Sequence, residues 1–322
     1  MKIENLIPAD IEVGVVGLGL MGNSIVVALL LAGHPVRAIA PLKGELDNVS
    51  RYINDQLMDC ERSGLLTESV DRYEDRLFLS EDYSQLRQCK LVLECVIENI
   101  EIKKMVYGKI LSVISPTAIL ASNTSAIPIT DLQISIINPE RFLGIHWAEP
   151  AFVTRFLEIT CGNKTGHSYV DWVYKLAFHW GKEPTVLKKD IRGFITNRLM
   201  YAVYRESFHL IDKGRISIED IDKAFRYDAG SWITLMGIFR RMDFMGLKEY
   251  SKILSSILPS LCNENEIPRT MQMMIDLNAR GTQNQTGLYS YTEKEAKDWE
   301  EAFSVFNKEI YKLASFYPSA NL

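Results

Sequence analysis

The stretch Val13-Gly14-Val15-Val16-Gly17-Leu18-Gly19-Leu20-Met21-Gly22 decides the fold. An apolar run from Ile11 to Val16 leads into Gly17-x-Gly19-x-x-Gly22, and the apolar segment Ser24 to Ala32 follows, with Gly33 as its stop. The glycines meet separate mechanical needs. Gly17 lets the chain turn tightly off a strand, and Gly19 lets backbone N–H groups approach a pyrophosphate. Gly22 lets the helix pack closely on the strand, so that the helix N-terminus faces the anion. The spacing alone also fits a bare βα turn; the strand-glycines-helix context points to a dinucleotide cradle, with contacts expected at Gly17, Gly19, Leu20, Met21 and Gly22.

One part of that pattern is missing. The next strand, Val36-Arg37-Ala38-Ile39-Ala40, is expected to end in a carboxylate that holds the adenosine ribose hydroxyls, and it ends in Ala40-Pro41. Such a carboxylate repels a 2′-phosphate, so its loss at Ala40 removes discrimination against NADP. Lys43 and Arg37 are nearby cations that favour a phosphate. The expected cofactor is therefore NAD or NADP, with relaxed or reversed preference; the rival consequence of Ala40 is weaker cofactor binding overall.

Composition bounds the rest. A chain of 322 residues can build two domains, each with its own core. A hydrophobic content of 47% and a charged content of 24% are those of an ordinary globular protein. A formal charge of −5 without a basic run argues against nucleic acid or an anionic membrane as partner. Met1 to Asp10 lacks a signal-peptide core, and Ile25 to Ala32 is too short to span a bilayer, so the protein is expected to be cytoplasmic. Its five cysteines show no CxxC spacing and suggest neither a disulfide framework nor a zinc site; no metal is expected.

Along the first half, strand-like runs alternate with helical patterns, which predicts βαβ units and a parallel sheet. Asp47 to Ser63 reads as a polar-faced helix, Lys90 to Cys95 as a buried strand and Ile100 to Ile114 as an amphipathic helix. Ile119-Leu120-Ala121 delivers Ser122-Asn123-Thr124-Ser125 at a strand's end, and Arg141 to His146 is another strand. Ligands of open parallel sheets bind beyond such carboxyl ends. From about Asp190 the pattern turns helical, with Gly193 to Asp212 as a long helix and helical periods at Pro268 to Leu277 and Thr292 to Ser315. The expected architecture is α/β: a Rossmann-type, doubly wound, mainly parallel sheet over residues 1–190, followed by a mainly α-helical domain over 191–322.

His146 at a strand end is followed by Glu158 on the apolar strand Phe156-Leu157-Glu158-Ile159. A carboxylate met from a neighbouring strand fixes a histidine's tautomer and stabilises its imidazolium, which makes an oriented base. Spacing alone equally fits a buried ion pair without chemistry.

Taken together, Gly17-x-Gly19-x-x-Gly22, Glu94-Cys95-Val96-Ile97-Glu98-Asn99, Ser122-Asn123-Thr124-Ser125, His146-Trp147-x-x-Pro150 and Gly193-Phe194-Ile195-Thr196-Asn197-Arg198-Leu199 resemble the 3-hydroxyacyl-CoA dehydrogenase family over residues 11 to about 250. Within that family the chain is most similar to the branch of lambda-crystallin (L-gulonate 3-dehydrogenase) and L-carnitine dehydrogenase. The resemblance implies an NAD(P)-dependent oxidoreductase of an L-3-hydroxyacyl-CoA or related 3-hydroxy acid, of the kind found in fatty acid metabolism. It implies that His146 is the base, that Glu158 orients it, and that Ser125 and Asn197 hold the reacting oxygen. Glu98, Lys103 and Asn123 match cofactor-contacting positions, and the C-terminal domain carries a homodimer interface in relatives. The alternative is a dinucleotide-binding structural protein of the crystallin type, with little or no catalysis.

Two further departures from the family pattern change charge. Glu149 stands where an asparagine is usual, and Arg240, in Met236-Gly237-Ile238-Phe239-Arg240, stands where a glutamate is usual. Glu149 is expected to raise the proton affinity of His146 and to disfavour an anionic substrate group. Glu149 and Arg240 together suggest a swapped ion pair across the cleft or, for Glu149, recognition of a cationic substrate group.

Overall fold

A computed structural model describes residues 6–42 and 44–313. Its strands are β1 (Val13–Val16), β2 (Val36–Ile39), β3 (Leu77–Ser80), β4 (Leu91–Glu94), β5 (Ile119–Ser122), β6 (Phe142–Trp147), β7 (Phe156–Thr160) and β8 (Glu183–Leu187). They form one sheet in the order β3-β2-β1-β4-β5-β6-β7-β8. Neighbours pair in parallel, except that β6 and β7 run antiparallel. Because helices cover both faces, every residue of β1, β4 and β5 is buried, which is why these strands read as continuous apolar runs rather than alternating ones. The chain goes from β1 to β2 on one side and returns to β4 on the other. In sheets of this kind ligands bind beyond the strands' carboxyl ends, at such a reversal.

The helices of this unit are α1 (Leu20–Leu31), α2 (Leu46–Arg62), α3 (Val70–Glu74), α4 (Ile100–Leu111), α5 (Ile129–Gln133) and α6 (His167–His179). Residues of α1, α2, α3 and α6 join one core cluster, and residues of α4 and α5 join a second that includes Val16, Val92 and Phe142. Nine residues of α1 are buried, so it is a core helix, apolar all round. It starts at Leu20, earlier than the apolar run from Ser24, because Gly19 is its N-cap and the glycine motif itself forms the first turn. The Asn99 side chain caps α4 by accepting the N–H groups of Glu101 and Ile102 at 3.0 and 3.1 Å.

By packing, the chain divides into two compact units, Met1–Thr196 and Asn197–Leu322. The helices from the junction onward are α7 (Thr196–Asp212), α8 (Ile218–Ala224), α9 (Gly230–Met236), α10 (Ile238–Met245), α11 (Leu247–Ile257), α12 (Arg269–Asp276) and α13 (Glu293–Leu313). The helix expected from Gly193 begins only at Thr196, because Gly193 (φ 80°) and Phe194 (φ 50°) occupy left-handed backbone that cannot continue into a helix. Between Asn197 and Leu313, Cys262 and Ala296 are the buried residues among those described. No helix of the described residues is long and apolar enough to cross a membrane.

Candidate active site

The glycine-rich turn separates the roles of its three glycines. Gly17 has a φ of 96°, and a Cβ there would lie 2.8 Å from the backbone of Cys95 and Val96 on the neighbouring strand's exit. A Cβ on Gly22 would lie 1.8 Å from the Gly17 carbonyl oxygen, so that position fixes how tightly α1 seats on the turn. A Cβ on Gly19 would meet nothing within 4 Å. No protein contact requires glycine at Gly19; the bare backbone borders open space at the positive end of α1, whose N-terminus no side chain caps. That is the shape a pyrophosphate needs. Leu20 is exposed and Met21 half-buried beside it.

At the ribose end, Ala40 is buried and donates its N–H to the Ser80 carbonyl. Arg37 is occupied elsewhere: its guanidinium pairs with Glu12 at 2.5 Å and lies 4.8 Å over the Phe78 ring. Lys43 lies outside the described residues. A carboxylate is nevertheless nearby, because Glu81, just past β3, accepts the Gly44 N–H at 2.7 Å.

The carboxyl end of β4 carries a buried polar network. Glu94, fully buried, accepts from Lys103 at 2.8 and 3.1 Å, from the Tyr107 hydroxyl at 2.9 Å, from the Ser122 hydroxyl at 2.7 Å and from the Val96 N–H at 2.7 Å. The Lys103 ammonium is 1% exposed and also lies 3.2 Å from Glu98. Its charge is thus shared between buried Glu94 and exposed Glu98. Glu98 is the surface member: it accepts the Thr124 hydroxyl and the Ser125 and Ala126 N–H groups, the latter two at 3.1 and 3.3 Å. Burial pushes its pKa up, but the Thr124 hydrogen bond, the Lys103 charge and the Ser125 amide outweigh that and hold it below the ordinary value. Asn123 spends its side-chain oxygen on the Trp147 N–H at 3.0 Å, tying the end of β5 to the end of β6.

His146 and Glu158 are direct register partners on antiparallel β6 and β7. His146 Nδ1 stands 3.1 Å from Glu158 Oε2, with Glu158 1% exposed and His146 15%. The other Glu158 oxygen accepts the Ile195 N–H at 2.8 Å. Phe156 and Phe194 bracket the imidazole edge-on, with ring centroids 5.4 and 6.0 Å away. The left-handed Gly193-Phe194 step is what brings Phe194 into the core and turns the Ile195 amide onto Glu158. With Nδ1 directed at the carboxylate, Nε2 is the nitrogen left to take up a proton.

Glu149 lies in the loop after β6. Burial raises its pKa, opposed by a hydrogen bond from Ser24 on α1, and its Oε2 is buried without a hydrogen-bond partner. The same loop is held from beneath by Lys182, whose ammonium donates to the Ala151 and Thr154 carbonyls and lies 5.0 Å from the Trp147 ring centre. Burial lowers the Lys182 pKa to about 7. Trp147 stacks on Trp180, and the Trp180 indole N–H donates to His34 Nε2 at 2.9 Å. His34 Nδ1 then donates to the Ile11 carbonyl at 2.8 Å, which makes His34 a neutral core residue. Asn197 is the second residue of α7, and Arg240 lies on α10, both in the second unit.

Sequence reading did not single out Glu94, Phe194, Ile195 or Lys182 for these positions. Glu94 ends an apolar strand, a weak signal for a buried acid. Lys182 follows Gly181 and belongs to no motif.

A reversal of strand order in a doubly wound sheet, with a bare glycine turn at the start of α1, is the arrangement of a dinucleotide-binding domain. Residues 12–191 match the 3-hydroxyacyl-CoA dehydrogenase NAD binding domain, and residues 193–291 match the 3-hydroxyacyl-CoA dehydrogenase C-terminal domain. The chain belongs to the 3-hydroxyacyl-CoA dehydrogenase family. It is 31% identical over 288 residues to 5-formyl-3-hydroxy-2-methylpyridine 4-carboxylate 5-dehydrogenase of Mesorhizobium japonicum, covering 89% of this chain and 92% of that one. It is 30% identical over 235 residues to L-carnitine dehydrogenase of Oceanobacillus iheyensis, covering 73% and 76%. The crystal structure of a 5-formyl-3-hydroxy-2-methylpyridine 4-carboxylic acid 5-dehydrogenase, an NAD+-dependent dismutase, superposes with a TM-score of 0.87 at 28% identity, over 95% of this chain and 99% of that one. The chain is an oxidoreductase with a nicotinamide cofactor.

Proposed function

We propose that this protein interconverts a secondary alcohol and a carbonyl on an L-3-hydroxyacyl-CoA or a related 3-hydroxy acid, with His146 as the general base. The observation that carries this reading is the 3.1 Å contact between His146 Nδ1 and a buried Glu158 whose second oxygen is already held. Glu158 keeps the imidazole oriented, so Nε2 accepts the hydroxyl proton and the resulting imidazolium has a counter-charge beside it. Ser125 and Asn197 hold the reacting oxygen. Gly17, Gly19, Leu20, Met21 and Gly22 bind the pyrophosphate, while Glu98 and Asn123 support the nicotinamide ribose, with Lys103 acting through Glu98. When bound, the nicotinamide supplies the hydride acceptor. A crystallin-type protein without catalysis would not need this buried, doubly held pair.

The cofactor reading is NAD(H) with weakened discrimination. Ala40 removes the acid that rejects a 2′-phosphate, but Arg37 is engaged by Glu12, and Glu81 leaves a carboxylate at the neighbouring strand end. NADPH should therefore serve within about tenfold of NADH, a difference near 1.4 kcal/mol. The buried, unpartnered Glu149 oxygen favours a neutral or cationic substrate group beside it. Residues 1–190 then carry the cofactor, and residues 191–322 carry substrate contacts and the surface through which a cytoplasmic homodimer forms.

Steady-state turnover of 3-hydroxybutyryl-CoA, L-gulonate, L-carnitine and a 3-hydroxypyridine carboxylate, each with NAD+ and NADP+, tests the reading. Turnover of at least one substrate, lost in His146→Gln, supports it. Cofactor binding without turnover of any substrate overturns it in favour of the crystallin-type alternative.

A further inference from the structure

The second unit holds a group of side chains that hydride transfer does not use. A ring nitrogen of His209, the sulfur of Cys262 and a carboxylate oxygen of Glu264 all lie within 4.8 Å of one another. His209 sits near the end of α7, and Cys262 and Glu264 lie on the connection between α11 and α12. We propose that these residues bind one zinc-class divalent ion that clips this connection to α7.

Geometry and chemistry support the site independently of the reaction. His209 Nδ1 is buried and makes no hydrogen bond, and it lies 3.6 Å from Glu264 Oε1. A tetrahedral zinc with bonds of about 2.0–2.3 Å holds its ligands roughly 3.3–3.8 Å apart, so the observed set closes on an ion with side-chain adjustments of about 1 Å. Imidazole, thiolate and carboxylate together suit zinc better than magnesium or calcium, which take oxygen ligands. The thiol is also held in place. Cys262 is 7% exposed, its backbone N–H donates to Glu206 at 2.8 Å, and its sulfur accepts the Glu264 N–H at 3.4 Å. Glu206 and His209 stand one helical turn apart on α7, so one helix supplies both a ligand and the group that positions another. Binding converts the Cys262 thiol to a thiolate and releases its proton to solvent. Three protein ligands leave the fourth position to water, with Glu264 as the exposed, exchangeable member.

The test uses the full-length protein, stripped with a chelator, dialysed and titrated with Co2+. Cobalt shares zinc's ligand preferences and reports a thiolate ligand by a charge-transfer band in the near ultraviolet. Saturation at one equivalent is expected, with that band, bleaching on addition of Zn2+, and a rise in Tm. Cys262→Ser should abolish the band while retaining the far-ultraviolet dichroism. Glu264→Gln, at an exposed position, should keep the band and weaken affinity by at least about tenfold. Absence of the band in the wild type, or an identical band in Cys262→Ser, overturns the proposal. Neither outcome depends on the identity of the substrate.

Discussion

The two units of this chain place their apolar and polar groups in opposite ways. The first buries charge: Glu94, Lys103 and Glu158 are each 1% exposed or less, and every one has stated partners. The second leaves large apolar side chains in the open, among them Phe239 at 79%, Phe244 at 73% and Leu247 at 61%. Buried charge is tolerable only where the surrounding groups are fixed, and the parallel sheet fixes them. Large exposed apolar side chains are a common mark of interaction surfaces when they form one patch. The comparison separates a unit whose buried charges are all partnered from one whose helices keep large apolar side chains exposed.

The largest effect expected from breaking this comparison is chemical. His146→Gln keeps a side chain of similar size and should lower kcat by about 10²–10⁴-fold with unchanged dichroism. A variant retaining wild-type kcat would remove His146 from the mechanism. Next comes the buried network. Glu94→Ala removes the shared acceptor of Lys103, Tyr107 and Ser122, leaves the ammonium to Glu98 alone, and should cost about 3–5 kcal/mol in urea unfolding, a loss that a solvated pair could not produce.

The glycine turn yields a paired prediction. Gly22→Ala meets the Gly17 carbonyl and should destabilise by about 1–3 kcal/mol. Gly19→Ala meets no atom and should change stability by less than about 0.5 kcal/mol while weakening NADH binding, read by fluorescence titration. Equal losses of stability would mean that Gly19 serves the fold rather than a ligand.

Lys182 gives a smaller effect with a defined sign. Its pKa is about 7 in the folded chain against an ordinary 10.5. Between those values the unfolded chain holds the additional proton, so its contribution to stability rises with pH across the window. The unfolding free energy of the wild type should therefore gain on Lys182→Met from neutral to alkaline pH, and a flat difference would show that the ammonium is solvated. The smallest change in stability belongs to the second unit. Replacing Phe239 and Phe244 together with glutamate should leave folding within about 0.5 kcal/mol and shift sedimentation from dimer to monomer. A wild type that already sediments as a monomer breaks the comparison at its second half.

What the sequence made legible follows from how local the signals are. The β1-turn-α1 unit lies in one short span, so composition, glycine spacing and apolar runs all point the same way. The order of five motifs carries the family in the same manner. β3 and β8 were not legible. β3 lies at the sheet edge, half-buried with Phe78 exposed, and lacks the long apolar run of the central strands, and β8 contains Pro184, which an edge strand tolerates because it lacks a neighbour on one side. The polar partners were also hidden, because Glu94 to Ser122, Glu158 to Ile195 and Lys182 to Thr154 are contacts the topology makes between distant segments. The proximity of Cys262 to His209 was hidden for the same reason, because the two residues lie far apart along the chain.

The junction between the units has a mechanical consequence. The first unit ends at Thr196, and the residue before it, Ile195, grips Glu158. The tether of the helical unit is thus fastened one peptide away from the clamp on the histidine's partner. The carboxylate beside His146 is therefore held by the last loop before α7, and a substitution that shifts the Ile195 backbone acts on Glu158 without touching either side chain of the pair.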